Sequence, residues 1–380
     1  MTRLIVAAGG GGDAVAAAML DAALYGGEDR AVILTYAWDR LLIDPVPGPR
    51  GAHNFTGLAP LTPAVLAVPA EARPIPPAGS TLPRLAQELP NTFALLDPHH
   101  GAEGITRQLE ALLRHLEPDS IDLLDVGGDI LARGDEPTLK SPLADALTLA
   151  ACCQVNASIR LLVAGPGLDG ELPPEDLRGL LGPLVHTLTA RDVDPISSVL
   201  EWHPSEATAM LAATARGARG TCEVRDAGLP VPLTDEGPTV HEVDLDEALS
   251  RNRLARTLMT TTTLDEAEAH CREVCGTSEI DYERDKAASL RQQPPAELDP
   301  ATALAQLARF EAEARTRGVT HTTFRHLTEA LNLAGSQRED LRQLLITSHP
   351  EQYAAPLWHI RADGRGQRRH PTFGAARIPT

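Results

Sequence analysis

Carboxylates beside glycine recur along this chain at places where a short aliphatic run stops. The segments are Asp97-Pro98-His99-His100-Gly101, Asp125-Val126-Gly127-Gly128-Asp129 and Gly165-Pro166-Gly167-Leu168-Asp169-Gly170-Glu171. If the runs are parallel strands, Asp97, Asp125, Asp129, Asp169 and Glu171 meet at one rim of a sheet together with His99 and His100. Carboxylates grouped in that way can hold a divalent cation through oxygen ligands, or act as acid and base with separated pKa values. A single Asp after a strand is ordinarily a turn or capping residue. Glycine beside three such clusters is what close approach of a ligand requires. Asp125, Asp129, Asp169 and Glu171 are therefore candidate catalytic groups, and His99, His100, Gly127 and Gly128 candidate substrate contacts. The cofactor is not fixed by these residues, although a divalent cation is compatible with them.

The apolar run Leu4 to Ala8 breaks into Gly9-Gly10-Gly11-Gly12-Asp13 and then into the small-residue run Ala14 to Leu20. This is the pattern of a strand, a tight turn and a helix N-terminus, whose backbone amides can receive an anion. Gly9, Gly11 and Ala14 fit a loose dinucleotide-binding pattern, and Asp39 stands about where a ribose-binding acid belongs. Asp13 opposes that reading, because its carboxylate would cap the helix or repel a phosphate. Trp38 and Asp39 follow the second strand and join the substrate contacts. Arg50 closes the stiff segment Asp44-Pro45-Val46-Pro47-Gly48-Pro49-Arg50 and either clamps an anion with its planar fork or lies on the surface. Trp202-His203-Pro204-Ser205-Glu206 opens a helix, adding Ser205 as a contact, Glu206 as a catalytic candidate and His203 as a cleft or packed turn residue. Ser141, ahead of Pro142, reads as an N-cap rather than a nucleophile. Cys271 and Cys275 stand one helical turn apart without a second ligand pair and read as a buried face. The sequence contains no G-x-S-x-G elbow, P-loop or H-E-x-x-H motif.

The elements that must position these groups alternate. Strands are expected at Leu4 to Ala8, Ala31 to Tyr36, Phe93 to Leu96, Ile121 to Leu124 and Ile159 to Val163. A helix carries Ile105, Leu109, Leu112, Leu113 and Leu116 on one stripe, another runs from Pro142 to about Cys153, and a third buries Leu177, Leu180, Leu181, Leu184, Val185 and Leu188. The alternation predicts an α/β fold, a mostly parallel, doubly wound, Rossmann-like sheet with its ligand outside the carboxyl ends of the strands. Two more strands are expected at Cys222 to Arg225 and Val240 to Val243, with acidic helices from Asp246. Residues 1–290 are read as the ligand-binding or catalytic domain, 291–360 as an additional C-terminal helical part, and 361–380 as a flexible tail.

Composition narrows the function classes. The chain has 380 residues, 43% hydrophobic and 23% charged but only 3% aromatic, so its core must be aliphatic. A formal charge of −18 argues against nucleic-acid binding, which needs a basic stripe. No apolar run reaches the roughly 18 residues of a membrane span, and the N-terminus lacks signal-peptide order. Five cysteines in no zinc-ribbon spacing fit a reducing, cytoplasmic setting. A homo-oligomer is compatible with all of this.

As a set, these motifs resemble the uncharacterised "domain of unknown function" family numbered 1152, found in archaea and actinobacteria. The resemblance rests on Gly9 to Asp13, on Trp38 and Arg40 with Asp44 to Arg50, and on Asp125 to Asp129 with Glu136 and Ser141-Pro142-Leu143-Ala144-Asp145. It extends to Gly167-Leu168-Asp169-Gly170-Glu171-Leu172 and Ser205-Glu206, spanning roughly the first 230 residues. It implies that the glycine turn, the proline loop and the strand-end acids belong to one constellation, without naming a substrate.

The residues point first to an enzyme, of hydrolase or lyase type, acting on a small polar metabolite that is nucleotide-like or phosphorylated. An NAD(P)-dependent oxidoreductase is the alternative if the glycine turn receives a pyrophosphate. A non-catalytic sensor or assembly subunit is the other, with the acidic C-terminal helices as its partner surface.

Overall fold

The computed structural model describes residues 2–26, 29–224, 230–292 and 295–361. Five parallel strands carry it: β1 (Arg3–Gly10), β2 (Val32–Tyr36), β3 (Thr92–Leu96), β4 (Ser120–Val126) and β5 (Arg160–Ala164). Each is a short aliphatic run buried on both faces, as a central parallel strand must be. They lie in the order β3-β2-β1-β4-β5. The chain starts in the middle, steps outward through β2 and β3, and returns to the other side of β1 to lay down β4. That reversal opens a crevice at the carboxyl ends of β1 and β4. Ala7 is in register with Leu124, so the glycine turn and Asp125 leave the sheet at one level.

Antiparallel strands complete both edges, Thr239–Val243 and Leu184–Thr187 beyond β5, and Leu66–Ala67 and Ala59–Pro60 beyond β3, making nine strands among the described residues in a mostly parallel sheet. Alternation along each strand sorts the core into two layers. Ile5, Ile33 and Leu124 pack with Val15 and Met19 of α1 (Gly12–Tyr25). Leu4, Val6, Leu34 and Leu123 pack with Ile105 and Leu109 of α2 (Gly101–Leu116) and with Leu143 and Leu147 of α3 (Pro142–Cys152). Both layers are built almost wholly from aliphatic side chains.

The structure corrects three sequence expectations. The apolar stripe over Leu177 to Leu188 is not one helix: Pro174–Leu177 is a single turn, and Leu184–Thr187 is an edge strand with Leu184 56% exposed. Gly182-Pro183 breaks any helix there, since proline lacks the amide that a helix interior needs. The strand expected at Cys222 to Arg225 runs Gly220–Glu223 and belongs to a second sheet, of five strands, with Val231–Leu233, His321–Thr322, Leu357–His359 and Tyr353–Ala354. Arg225 lies outside the described residues. The chain beyond residue 295 is therefore not helical alone. Helices Pro300–Thr316, Phe324–Ala330 and Arg338–Ser348 share a second core with one side of that sheet, centred on Leu307, Leu327, Leu341 and Trp358, while its Cys222, Val231, Leu233 and Leu357 join the layer that holds α1. Residues 362–380 of the expected tail, and Gln293-Pro294 near the start of the expected C-terminal part, lie outside the described residues. Among the described residues no helix is long and apolar enough to cross a membrane.

Candidate functional site

Three buried carboxylates converge at the β1/β4 crevice, each delivered by a different element. Asp13 sits in the first turn of α1 and folds back to accept the Gly9 amide at 2.9 Å. Asp125 is near the end of β4, and Asp145 is in the first turn of α3. One oxygen from each lies within 4.8 Å of the others. Their exposures are 8%, 1% and 4%. Gly9 floors this cradle: a Cβ there would lie 3.0 Å from Asp13 Oδ2 and 3.2 Å from Asp145 Oδ1.

Asp129, Asp169, Glu171 and Glu279 line the same pocket. Glu279 comes from α6 (Glu279–Gln292), which follows α4 (Glu206–Ala215) and α5 (Leu264–Cys275) in the chain. Asp125 Oδ2, Asp145 Oδ1, Asp169 Oδ2 and Glu279 Oε2 are all buried with no hydrogen-bond partner among the described residues. Leaving such atoms unsatisfied is costly, and native proteins concentrate them where a ligand supplies the partner.

The electrostatics follow from burial and crowding. Burial first, and then the Asp125 charge, push Asp13 well above the usual carboxylate range. The same two causes raise Asp145, joined by Asp13. Asp129 is raised by burial and by Asp145, and Asp169 by burial and by Glu171. Asp125 is pushed to about 6 by burial despite hydrogen bonds that oppose it. Glu279 rises to about 8 through burial and the neighbouring Glu283, with Arg40 pulling the other way. The pocket is short of positive charge, which protons or a cation can supply.

Some of the predicted contacts serve to shape the pocket. Gly10 lets the chain pass Trp38, whose carbonyl would sit 2.7 Å from a Cβ, and Gly12 makes room for Ser205 Oγ at 2.1 Å. Gly11 adopts a φ of 50° at the turn itself. Ser205 caps α4 by accepting the Thr208 amide. Glu206 pairs with Arg325 at 2.9 Å and accepts the Thr323 hydroxyl, so the C-terminal part closes one wall. Trp38 Nε1 donates to Glu283 at 3.1 Å, which ties α6 down beside the pocket. Glu171 accepts the Lys140 and Ser141 amides at 2.6 and 2.9 Å and the Ser141 hydroxyl, anchoring the start of α3 and with it Asp145. Ser141 occupies the N-cap position, but its side chain makes no capping bond. Gly127, at φ 121°, is packed against Asp169, and Gly128, at φ 109°, against Leu177.

Other predicted contacts face elsewhere. Arg50 turns inward, its Nη2 donating to the carbonyls of Pro47 and Gly48 at 2.7 and 2.6 Å and its Nε 3.0 Å from Asp44. It braces the proline loop. Asp39 borders the pocket but accepts the amide and hydroxyl of Thr81 at 3.0 and 2.7 Å. His99 pairs with Asp97 at 2.8 Å and borders a separate cavity with Arg50 and Arg284, while His100 is exposed. The rim expected to unite these histidines and Asp97 with the other acids does not form, because β3 lies two strands away from β1 and so away from the β1/β4 crevice, whereas β5 is the direct neighbour of β4.

Sequence reasoning named Asp145 and Arg40 only within the family resemblance, with no role at a site, and missed Glu279, Tyr282 and Arg325; all five line the pocket. Asp145 carried a signal, one turn into a helix after Ser141-Pro142. Glu279 and Glu283 stand four residues apart on α6, so one helix face carries both. Arg325 comes from the second core, and no local pattern announces it.

Among known proteins, a family described as "Protein of unknown function (DUF1152)" matches residues 4–287. No curated protein and no solved structure matches the chain.

Proposed function

The chain belongs to that family, and we propose that it is an enzyme of hydrolase or lyase type acting on a small polar metabolite, phosphorylated or nucleotide-like, at a divalent cation held by Asp13, Asp125 and Asp145. The observation that carries this reading is the convergence of three buried carboxylates from α1, β4 and α3 at the reversal of strand order, with an unpartnered oxygen on Asp125 and another on Asp145. Hard divalent cations take such oxygen sets. When bound, the cation would polarise a substrate oxygen or acidify a water.

The protein's own residues supply the rest. Glu279, pushed up by burial and by the neighbouring Glu283, is the pocket carboxyl suited to carry a proton and donate it to a leaving group. Arg40 and Lys140 border the pocket and suit an anionic substrate. The order β3-β2-β1-β4-β5 supports a doubly wound, Rossmann-like reading of the sheet, in which a ligand is expected at this crevice. The oxidoreductase reading is weaker. The spaces beside Gly10 and Gly12 are taken by Trp38 and Ser205, and the Asp39 carboxylate is engaged by Thr81.

A screen of phosphorylated metabolites and nucleotides for turnover, with and without Mg²⁺ or Mn²⁺, tests the reading. Turnover abolished by a chelator, restored by the metal and lost in folded Asp125→Asn supports it. Metal-independent turnover, or full activity in Asp125→Asn, contradicts it.

A further inference from the structure

We propose that His203 presents an Nε2–H donor into the acid pocket and holds the phosphoryl group of the substrate at the start of α4. This rests on the functional reading above and assigns the part of the pocket lined by His203 and the start of α4.

The tautomer follows from the backbone. The Ser205 amide donates to His203 Nδ1 at 3.3 Å, so Nδ1 is an acceptor and the proton of the neutral ring is on Nε2. Nε2 is buried with no hydrogen-bond partner among the described residues, in a residue 6% exposed that lines the pocket. The ring is held edge-on to Trp202, with centroids 5.4 Å apart. Burial, and then the Arg338 charge, hold the imidazole down at about 3, so it stays neutral and keeps one donor fixed.

The surroundings suit an oxyanion. The first turn of α4 borders the pocket at Ser205, Glu206 and Ala207, and a helix of ten residues carries its positive dipole end there. The Glu206 carboxylate, which would otherwise repel an anion, is paired with Arg325. A phosphoryl group has three terminal oxygens, enough to meet His203, the helix end and a cation together, where a carboxylate has two.

The probe is inorganic phosphate, titrated calorimetrically into the Mg²⁺-saturated protein, with Mg²⁺ alone titrated in parallel. In His203→Leu, Mg²⁺ affinity should stay at the wild-type level while phosphate affinity falls about tenfold or more, and His203→Gln, which keeps an N–H at similar reach, should recover to within about threefold. Unchanged phosphate affinity in His203→Leu, or no phosphate binding to the Mg²⁺-loaded wild type, overturns the proposal. If the wild type binds no Mg²⁺, the functional reading fails instead, and phosphate titrated without metal decides the role of His203 by the same comparison. If His203→Leu does not fold, the imidazole ¹⁵N–¹H signal of the wild type decides it: an Nε2–H shift on adding phosphate supports the assignment, and an unmoved signal overturns it.

Discussion

Asp13 reaches back across the glycine turn to accept the Gly9 amide at 2.9 Å, and Gly9 is the residue over which the Asp13 and Asp145 carboxylates meet. The two residues define each other. Asp13 stabilises the turn, and the bare Cα of Gly9 leaves the oxygens room to converge. They stand only four positions apart, so this corner of the pocket is built locally, while Asp125 and Asp145 are brought in by the sheet and by α3.

A methyl group at position 9 should therefore act on ligand binding more than on folding. The backbone at Gly9 is not left-handed, so Gly9→Ala adds no φ strain, but both carboxylates must move by a few tenths of an ångström. Cation affinity is expected to drop about tenfold or more, since hard-cation sites depend on ligand number and geometry. Far-UV circular dichroism should be unchanged. Calorimetric titration with Mn²⁺ checks it.

Arg50 should behave as a brace. Arg50→Ala leaves Asp44, only 1% exposed, without its ion-pair partner and removes the donor to the Pro47 and Gly48 carbonyls. Breaking a buried pair on one side costs about 3–5 kcal/mol. The loss should be seen in urea denaturation, and the cation affinity of the folded variant should match the wild type. A folded variant of undiminished stability that binds no ligand would instead make Arg50 a clamp.

Asp97 makes stability depend on acid. Burial would raise its carboxyl, but hydrogen bonds from the His99 ring and from the Ala52 and His99 amides outweigh that and lower it to about 2. The unfolded chain titrates at about 3.9, so it binds more protons than the folded chain between the two values. Stability from this group is fully present above about pH 4 and is lost as pH falls through 2. The difference in unfolding free energy between the wild type and Asp97→Asn should thus be constant near neutrality and narrow from pH 4 to pH 2.

How far the site could be read in advance depended on how each residue reaches it. Asp125, Asp169, Glu171 and the Gly9 to Asp13 turn were legible because strand ends of a parallel sheet share one rim, a rule that needs only the βα alternation. His99 and Asp97 obey the same rule locally but follow β3, and the sequence does not say that β3 lies two strands from β1 on the side away from the crevice. Asp145 was visible in its motif yet reads as an ordinary first-turn acid, since helix starts attract carboxylates for dipole reasons alone. The stripe at Leu177 to Leu188 misled because apolar residues at helical spacing outweighed Gly182-Pro183, where the chain turns into an edge strand. Arg325 and Glu279 reach the pocket through contacts with distant segments, such as the 2.9 Å pair between Arg325 and Glu206, that no window of sequence contains.

The central claim is that Asp13, Asp125 and Asp145 form a cation site, and thermal unfolding of the wild type and Asp145→Asn with and without Mg²⁺ or Mn²⁺ tests it most directly. A ligand at a hundredfold excess over its Kd stabilises the native state by about 2.7 kcal/mol. The wild-type midpoint should rise with the metal. Asp145→Asn removes one of the charges that crowd this pocket, so its metal-free midpoint should equal or exceed the wild type, and its response to the metal should vanish. A wild-type midpoint indifferent to both metals, or an undiminished response in Asp145→Asn, would contradict the account.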